Sequence, residues 1–357
     1  MSGSPLPLVI GEDGAPPLPW LAEPLARALG SHRGHALLVQ GHPGLGVLPF
    51  VLSLAQSWLC EAPGRDTKAA CGRCGSCRLV QARLHPDLQV LMPETQRREH
   101  DWPLKGDRTD GDDAKRKPSR QIRIDEVRDT IDAVQRTSAR GRGKVVVLQP
   151  AEVLNLQAAN ALLKTLEEPP EGTRLVLATA DASLLLPTLR SRCQAMTLAP
   201  PAAAAAVAWL AGQGLPEAEV LLAAAGGLPL EVPALVAAGL DAARWRALPA
   251  AIANGQAGAL QGLPLPRVLD ILTKLCHDAM AHASGASGRF FPEGGLARPA
   301  ALAALAGWSR ELVRVARHDE HPWNEPLMLD ALVAGAARAL RPAEGASEPA
   351  RFVTLHP

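Results

Sequence analysis

Apolar and polar residues keep two different rhythms along this chain. Up to about position 198, short unbroken apolar runs alternate with helical periodicities. Ala36-Leu37-Leu38-Val39, set between Gly34 and Gly41, predicts a buried parallel strand. Leu88 to Met92, Lys144-Val145-Val146-Val147-Leu148 and Leu175-Val176-Leu177-Ala178 predict three more. Between the strands lie an apolar helix from about Leu48 to Leu59 and an amphipathic one from about Ile124 to Val134. In the latter, Ile124, Val127, Ile131 and Val134 recur at helical spacing. Asn155 is placed to cap a further helix, Pro169-Pro170 ends it, and Ser183–Leu189 is helix-like. Strands and helices alternating in this way predict a parallel sheet covered on both faces.

From about Pro200 the rhythm changes. Alanine and leucine dominate, no strand pattern is present, and helical patterns run through 201–212, 216–225, 266–283, 299–317 and 325–341. A stretch near 253–265, rich in Gly and Pro, reads as a linker between a small helical unit and a larger one. The expected organisation is an α/β domain over 1–198, a small helical domain over 199–240, a larger helical domain over 241–345 and a tail over 346–357. Within the first domain, residues 94–120 carry many charges and few apolar side chains, which predicts a mobile surface excursion.

Composition narrows the class. Apolar residues make up 47% of the 357 and charged residues 20%, as in soluble globular proteins. The net charge of +1 gives bulk electrostatics no reason to drive autonomous binding to nucleic acid. Neither a signal peptide nor an apolar run of membrane-spanning length is evident, so a cytoplasmic location is expected. Of the six cysteines, four crowd between positions 60 and 77, which favours metal over disulfides in a chain without an export signal.

The glycines Gly41, Gly44 and Gly46 stand between a predicted strand and a predicted helix. Gly41 and Gly46 have the spacing of a phosphate-cradling loop, Gly-x-x-x-x-Gly-Lys-[Ser/Thr]. Val47 and Leu48, however, occupy the places of the lysine and the hydroxyl. Valine brings no charge to a phosphate and leucine cannot ligate magnesium, so the spacing alone also suits an ordinary strand-to-helix turn. After the strand ending at Leu148 stand Gln149 and Pro150 in place of the acidic pair that would hold the metal. Cys60, Cys71, Cys74 and Cys77 have the spacing of a closed four-thiolate metal site, in which no position is left open for a substrate. An iron–sulfur cluster and ordinary reduced cysteines are the other readings; Cys193 and Cys276 read as buried thiols.

Taken with Ser191-Arg192-Cys193 and the run Asn160-Ala161-Leu162-Leu163-Lys164-Thr165-Leu166-Glu167-Glu168-Pro169-Pro170, these motifs resemble the AAA+ clamp-loader family, and within it the delta-prime subunits of bacterial DNA polymerase III. The resemblance covers nearly the whole chain. It implies an α/β nucleotide-binding domain of AAA+ type, a helical lid over 199–240 and an all-α collar over 241–345 that assembles into a ring. It implies structural zinc on the four cysteines, no ATP bound by this chain, and neither ATPase nor polymerase activity of its own. Arg192 would be a finger acting in trans on the ATP of a neighbouring motor subunit, with Arg190 as the fallback. Thr179 matches the family's sensor threonine, while Leu230-Glu231 stands where ATP-binding relatives carry a lid arginine. The implied partners are the gamma/tau motor subunits and the delta subunit, with the sliding clamp and primed DNA reached through the assembly. Two alternatives accompany this reading: an active motor subunit, against which Val47, Leu48, Gln149 and Pro150 weigh, and a zinc-containing AAA+ relative in another DNA complex. The basic residues Arg140, Arg142 and Lys144 are expected to be solvated surface rather than DNA contacts.

Overall fold

A computed structural model describes residues 7–32, 34–62, 64, 67–103, 117–291, 300–317 and 324–342. The chain divides into two compact units between Ala205 and Ala206.

The first unit is built on strands β1 (Ala36–Gln40), β2 (Leu88–Leu91), β3 (Lys144–Leu148), β4 (Thr173–Thr179) and β5 (Gln194–Thr197). They form one sheet in the order β2-β3-β4-β1-β5, and every adjacent pair is parallel. The register sets Leu38 beside Leu177 and Val147 beside Val176. Side chains alternate across a strand, so Leu38, Val146, Leu148, Leu175 and Leu177 share one face. That face packs against α5 (Ile124–Gln135) and α6 (Leu156–Glu167) through Val127, Val134, Leu162 and Leu166. The opposite face carries Leu37, Val39, Val145 and Val147, all nearly inaccessible. There lies α2 (Val47–Leu59), buried along all 13 of its residues. A helix apolar all round must be enclosed on every side. Its one amide side chain, Gln56, is satisfied by a reciprocal pair of bonds to the Ile10 backbone, 2.8 and 3.0 Å. The parallel α/β sheet covered on both faces, as expected from the sequence, is thus present.

Four shorter helices complete the unit: α1 (Ala22–Ser31), α3 (Gly75–Gln81), α4 (Glu94–Glu99) and α7 (Pro187–Arg190). Helix α4 lies inside the stretch read from sequence as a mobile excursion, and its start is packed instead. The guanidinium of Arg97, 3% exposed, donates to the carbonyls of Met92, Val90 and Pro103. Charge count missed this because one buried arginine can organise a short polar segment when backbone carbonyls satisfy it. Positions 104–116 lie outside the described residues, as do the positions of the 346–357 tail.

The second unit is helical throughout its described residues: α8 (Ala203–Gly212), α9 (Ala218–Ala224), α10 (Val232–Ala237), α11 (Ala242–Ala253), α12 (Leu265–Ala283), α13 (Leu302–Ala316) and α14 (Glu325–Ala339). One apolar core runs from Ala206 to Leu340. Trp245 lies at its centre, stacked on Phe291 at 4.8 Å, with its indole N–H donating to the Phe290 carbonyl. The stretch expected as a linker holds a 3-10 turn, Ala257–Leu260, whose Leu260 is fully buried in this core. No single helix among the described residues is long and apolar enough to cross a membrane.

Candidate functional site

The loop between β1 and α2 keeps the course of a phosphate cradle while its donors are turned inward. The N–H of Gly44 donates to the Nδ1 of His42 at 3.1 Å, that of Leu45 to the His42 carbonyl and that of Gly46 to the Pro43 carbonyl, both at 2.9 Å. A phosphate-binding loop works by leaving such N–H groups free to face the anion. Gly46 has a φ of 86°, the left-handed backbone that glycine alone adopts freely, and it starts α2. A Cβ on Gly41 would meet Leu198 Cβ at 3.0 Å and Val47 Cγ2 at 3.1 Å, so the space beside the loop is already filled. Val47 is 1% exposed and Leu48 6%, and Pro49 removes another N–H from the first turn. Trp20 braces the loop from outside, its indole N–H donating to the Leu45 carbonyl at 2.9 Å.

Across the sheet, Gln149 follows β3 with its side chain 7% exposed. Its amide oxygen has no hydrogen-bond partner among the described residues. It brings no charge to the place where a magnesium ligand would stand. Thr179, at the end of β4, is buried and exchanges bonds with its own turn: its hydroxyl donates to the Asp181 carbonyl and accepts from the Asp181 N–H. Leu230 and Glu231 lie in a 3-10 turn, Pro229–Glu231, in the second unit.

Arg192 follows α7 and is about one-third exposed. Its Nε donates to Glu167 Oε1 at 2.8 Å and its Nη2 donates to the same oxygen, while Nη1 donates to the Thr188 carbonyl at 2.8 Å. The neighbouring Cys193 is half-buried rather than fully so, and burial pushes its thiol up to about 11. Cys276 is fully enclosed, and burial raises its thiol equally.

The four clustered cysteines converge at the other end of α2. Cys60 closes that helix and Cys74 caps α3. All four sulfurs lie within 4.8 Å of one another, and the Cys60–Cys74 and Cys71–Cys77 pairs stand at 3.9 Å. A tetrahedral ion with metal–sulfur bonds of about 2.3 Å needs sulfurs about 3.8 Å apart. Backbone N–H groups of Cys71, Cys74 and Cys77 donate to the sulfurs of Cys60, Cys71 and Cys74 respectively, at 3.3 to 3.5 Å. Burial pushes the Cys71 thiol up, but the N–H groups of Arg73 and Cys74 outweigh it and hold the thiol down at about 6. Donor chemistry and spacing together fit a metal ion. Gly72 turns the chain here with a φ of 74°, so close to Gly11 that a Cβ would fall 1.7 Å from its carbonyl oxygen.

A family model described as DNA polymerase III, delta subunit, matches residues 22–202. Subunit delta' of the Pseudomonas aeruginosa polymerase is 39% identical over 205 residues, 56% of this chain and 55% of that one. The Escherichia coli subunit delta' is 38% identical over 58% of this chain and 56% of its own length. The chain therefore spans about half the length of these two curated relatives. The Yersinia pestis subunit delta' is 36% identical over 271 residues, covering 74% of this chain and 72% of the relative. The chain belongs to the family of DNA polymerase III delta-prime subunits. Both the altered glycine loop and the cysteine cluster lie inside the matched segment.

Several residues that brace the sites of this family member were not singled out from the sequence. Asp87 is 1% exposed and accepts from the N–H groups of Ala139 and Arg140 and from the Ser138 hydroxyl. Burial pushes its carboxyl up, but these donors outweigh it and hold it below the ordinary carboxylate range. Arg140 in turn pairs with Glu61, beside Cys60. Lys144 is buried, donating to the Ala133 carbonyl at 2.8 Å, so it is a structural residue and not the solvated one expected from sequence. His85 is buried against Ser76 at 2.7 Å, behind the cysteine cluster. The signal for Asp87 and His85 was their place in His85-Pro86-Asp87 before a strand; nothing nearby marks Glu61 or Glu167.

Proposed function

We propose that this chain is the non-hydrolysing stator of a DNA polymerase III clamp loader, lending Arg192 to the ATP site of a neighbouring motor subunit. The observation that carries the reading is the closed glycine loop, in which the N–H groups of Gly44, Leu45 and Gly46 are all consumed internally. Buried Val47 and Leu48 and the uncharged Gln149 remove the cation-handling chemistry on both sides of the same site. A subunit of this shape keeps the packing of an ATPase and offers its arginine outward. Guanidinium is permanently charged and matches phosphate oxygens with a fork of donors, which suits it to charge building up in phosphoryl transfer.

In this reading Cys60, Cys71, Cys74 and Cys77 hold one structural zinc, which fastens α3 to the end of α2. The helical unit divides into a lid over 199–240 and a collar over 241–345 that meets the gamma/tau and delta subunits. The protein works in the cytoplasm, and the sliding clamp and primed DNA are engaged by the whole assembly.

The test is DNA-stimulated ATP hydrolysis by the reconstituted loader, with the isolated chain as a blank. The isolated chain is expected to be silent, and Arg192→Ala to lower the assembled rate about 10³-fold. Turnover by the isolated chain would overturn the stator reading, and full turnover by the Arg192→Ala assembly would overturn the finger.

A further inference from the structure

The guanidinium of Arg192 is clamped from two sides by different elements. Glu167, the last residue of α6, offers one oxygen, Oε1, that accepts from both Nε and Nη2. On the other flank Nη1 donates to the Thr188 carbonyl at 2.8 Å and, more distantly, to the Ser191 hydroxyl at 3.4 Å. A single oxygen shared by Nε and Nη2 occupies one edge of the planar fork. Together with the Nη1 contacts, these bonds take up at most four of the five guanidinium N–H groups, and the side chain is about one-third exposed.

Both anchors are themselves fixed. Helix α6 is capped at its start by Asn155, whose side chain accepts from the Ala158 N–H at 2.8 Å, and Pro169-Pro170 follow its end. Thr188 lies within α7, whose Leu189 is 1% exposed in the sheet core. The pair itself is half-open to solvent, and such pairs contribute little to stability. What the arrangement supplies is direction: an arginine with many rotamers is held in one.

Building on the assignment of Arg192 as a finger, we propose that Glu167 is a positioning residue. It holds the guanidinium by its Nε–Nη2 side, so that a remaining N–H faces the phosphates of a nucleotide carried by the neighbouring subunit. Its contribution is geometric, made through Arg192 and without touching the nucleotide.

The experiment uses the assembled loader with ATP and primed DNA, comparing Glu167→Ala, Glu167→Gln and Glu167→Asp with wild type and Arg192→Ala. Alanine is expected to lower kcat about ten-fold while KM for ATP stays within about two-fold, because a misaimed group costs turnover more than binding. Glutamine keeps an acceptor oxygen at the same reach and is expected to recover most of the rate. Aspartate keeps the charge but not the reach, and is expected to fall with alanine. If Arg192→Ala collapses turnover while alanine and aspartate at 167 leave kcat unchanged, the positioning role is overturned and the finger stands. A rise in kcat on losing Glu167 overturns it too, since the carboxylate would then be masking the arginine. If Arg192→Ala has no effect, the finger assignment falls first and the positioning role with it.

Discussion

Helix α2 begins at a loop with the glycine spacing of a phosphate cradle and ends at a cluster of four cysteines, and the two ends differ. At Gly46 the backbone keeps the turn of a phosphate loop, yet its N–H groups bond within the loop and Val47 packs against the space beside Gly41. At Cys60 the donors themselves are intact: four sulfurs converge within 4.8 Å and backbone N–H groups point at three of them. One end has the shape of a loop with its donors committed, the other has donor atoms spaced for a metal ion. Shape survives at the loop because a buried helix needs a defined start whatever it binds. A cluster of thiols has no such second use, since four unliganded sulfurs bury little and cross-link nothing.

The largest expected effect is at the cysteine end. Replacing Cys71 or Cys74 with serine, or removing the metal with a chelator, should destabilise the first unit by roughly 5 kcal/mol or more, because metal-binding energy is folding energy in such sites. Metal analysis of the purified chain alongside thermal melts checks this. A chain that melts identically with and without chelator would erase the contrast between the two ends.

At the loop end the sharper test is an attempted restoration, Val47→Lys with Leu48→Thr. Both positions are buried, so the double variant should lose about 3 kcal/mol of stability and gain no ATP binding, because the loop's N–H groups remain committed. Fluorescent-nucleotide titration and denaturant melts read the two outcomes. Recovered binding would mean that only the lysine and hydroxyl were missing.

The smallest effect concerns the struts behind the cysteines. Asp87 has its carboxyl held below the ordinary range by the donors around it. Its contribution is therefore fully present above the unfolded value of about 4 and is lost as pH falls through the depressed folded value. Wild type should lose this stability on acidification below about pH 4, whereas Asp87→Asn, less stable than wild type above that range, should have a flatter acid limb. Equal acid limbs would leave Asp87 no role in bracing this end.

Much of this was legible along the chain. The strands at 36–39 and 144–148 and the cap at Asn155 fall where period and capping residues put them. The spacing of Cys60, Cys71, Cys74 and Cys77 proposed the cluster that the fold closes. Lys144 defeated the reading because a charge at the start of an apolar run gives no hint of the Ala133 carbonyl that satisfies it. Leu163, next to the buried Leu162, is only partly covered, because helix α6 presents a narrower stripe to the sheet than its leucines suggest.

By itself the sequence determined the local elements, the uncharged side chains at positions 47, 48 and 149, and the presence of four thiols in metal-binding spacing. These follow from backbone preference and side-chain chemistry, which each residue carries wherever it stands. Only the tertiary structure decided that Glu167 meets Arg192 across 25 positions and that Arg140 meets Glu61 across 79. Only it decided that Asp87 gathers the 138–140 turn. Such pairings depend on which helix crosses which strand of the sheet. No short window of sequence contains that order, because it is fixed by the burial of whole faces at once.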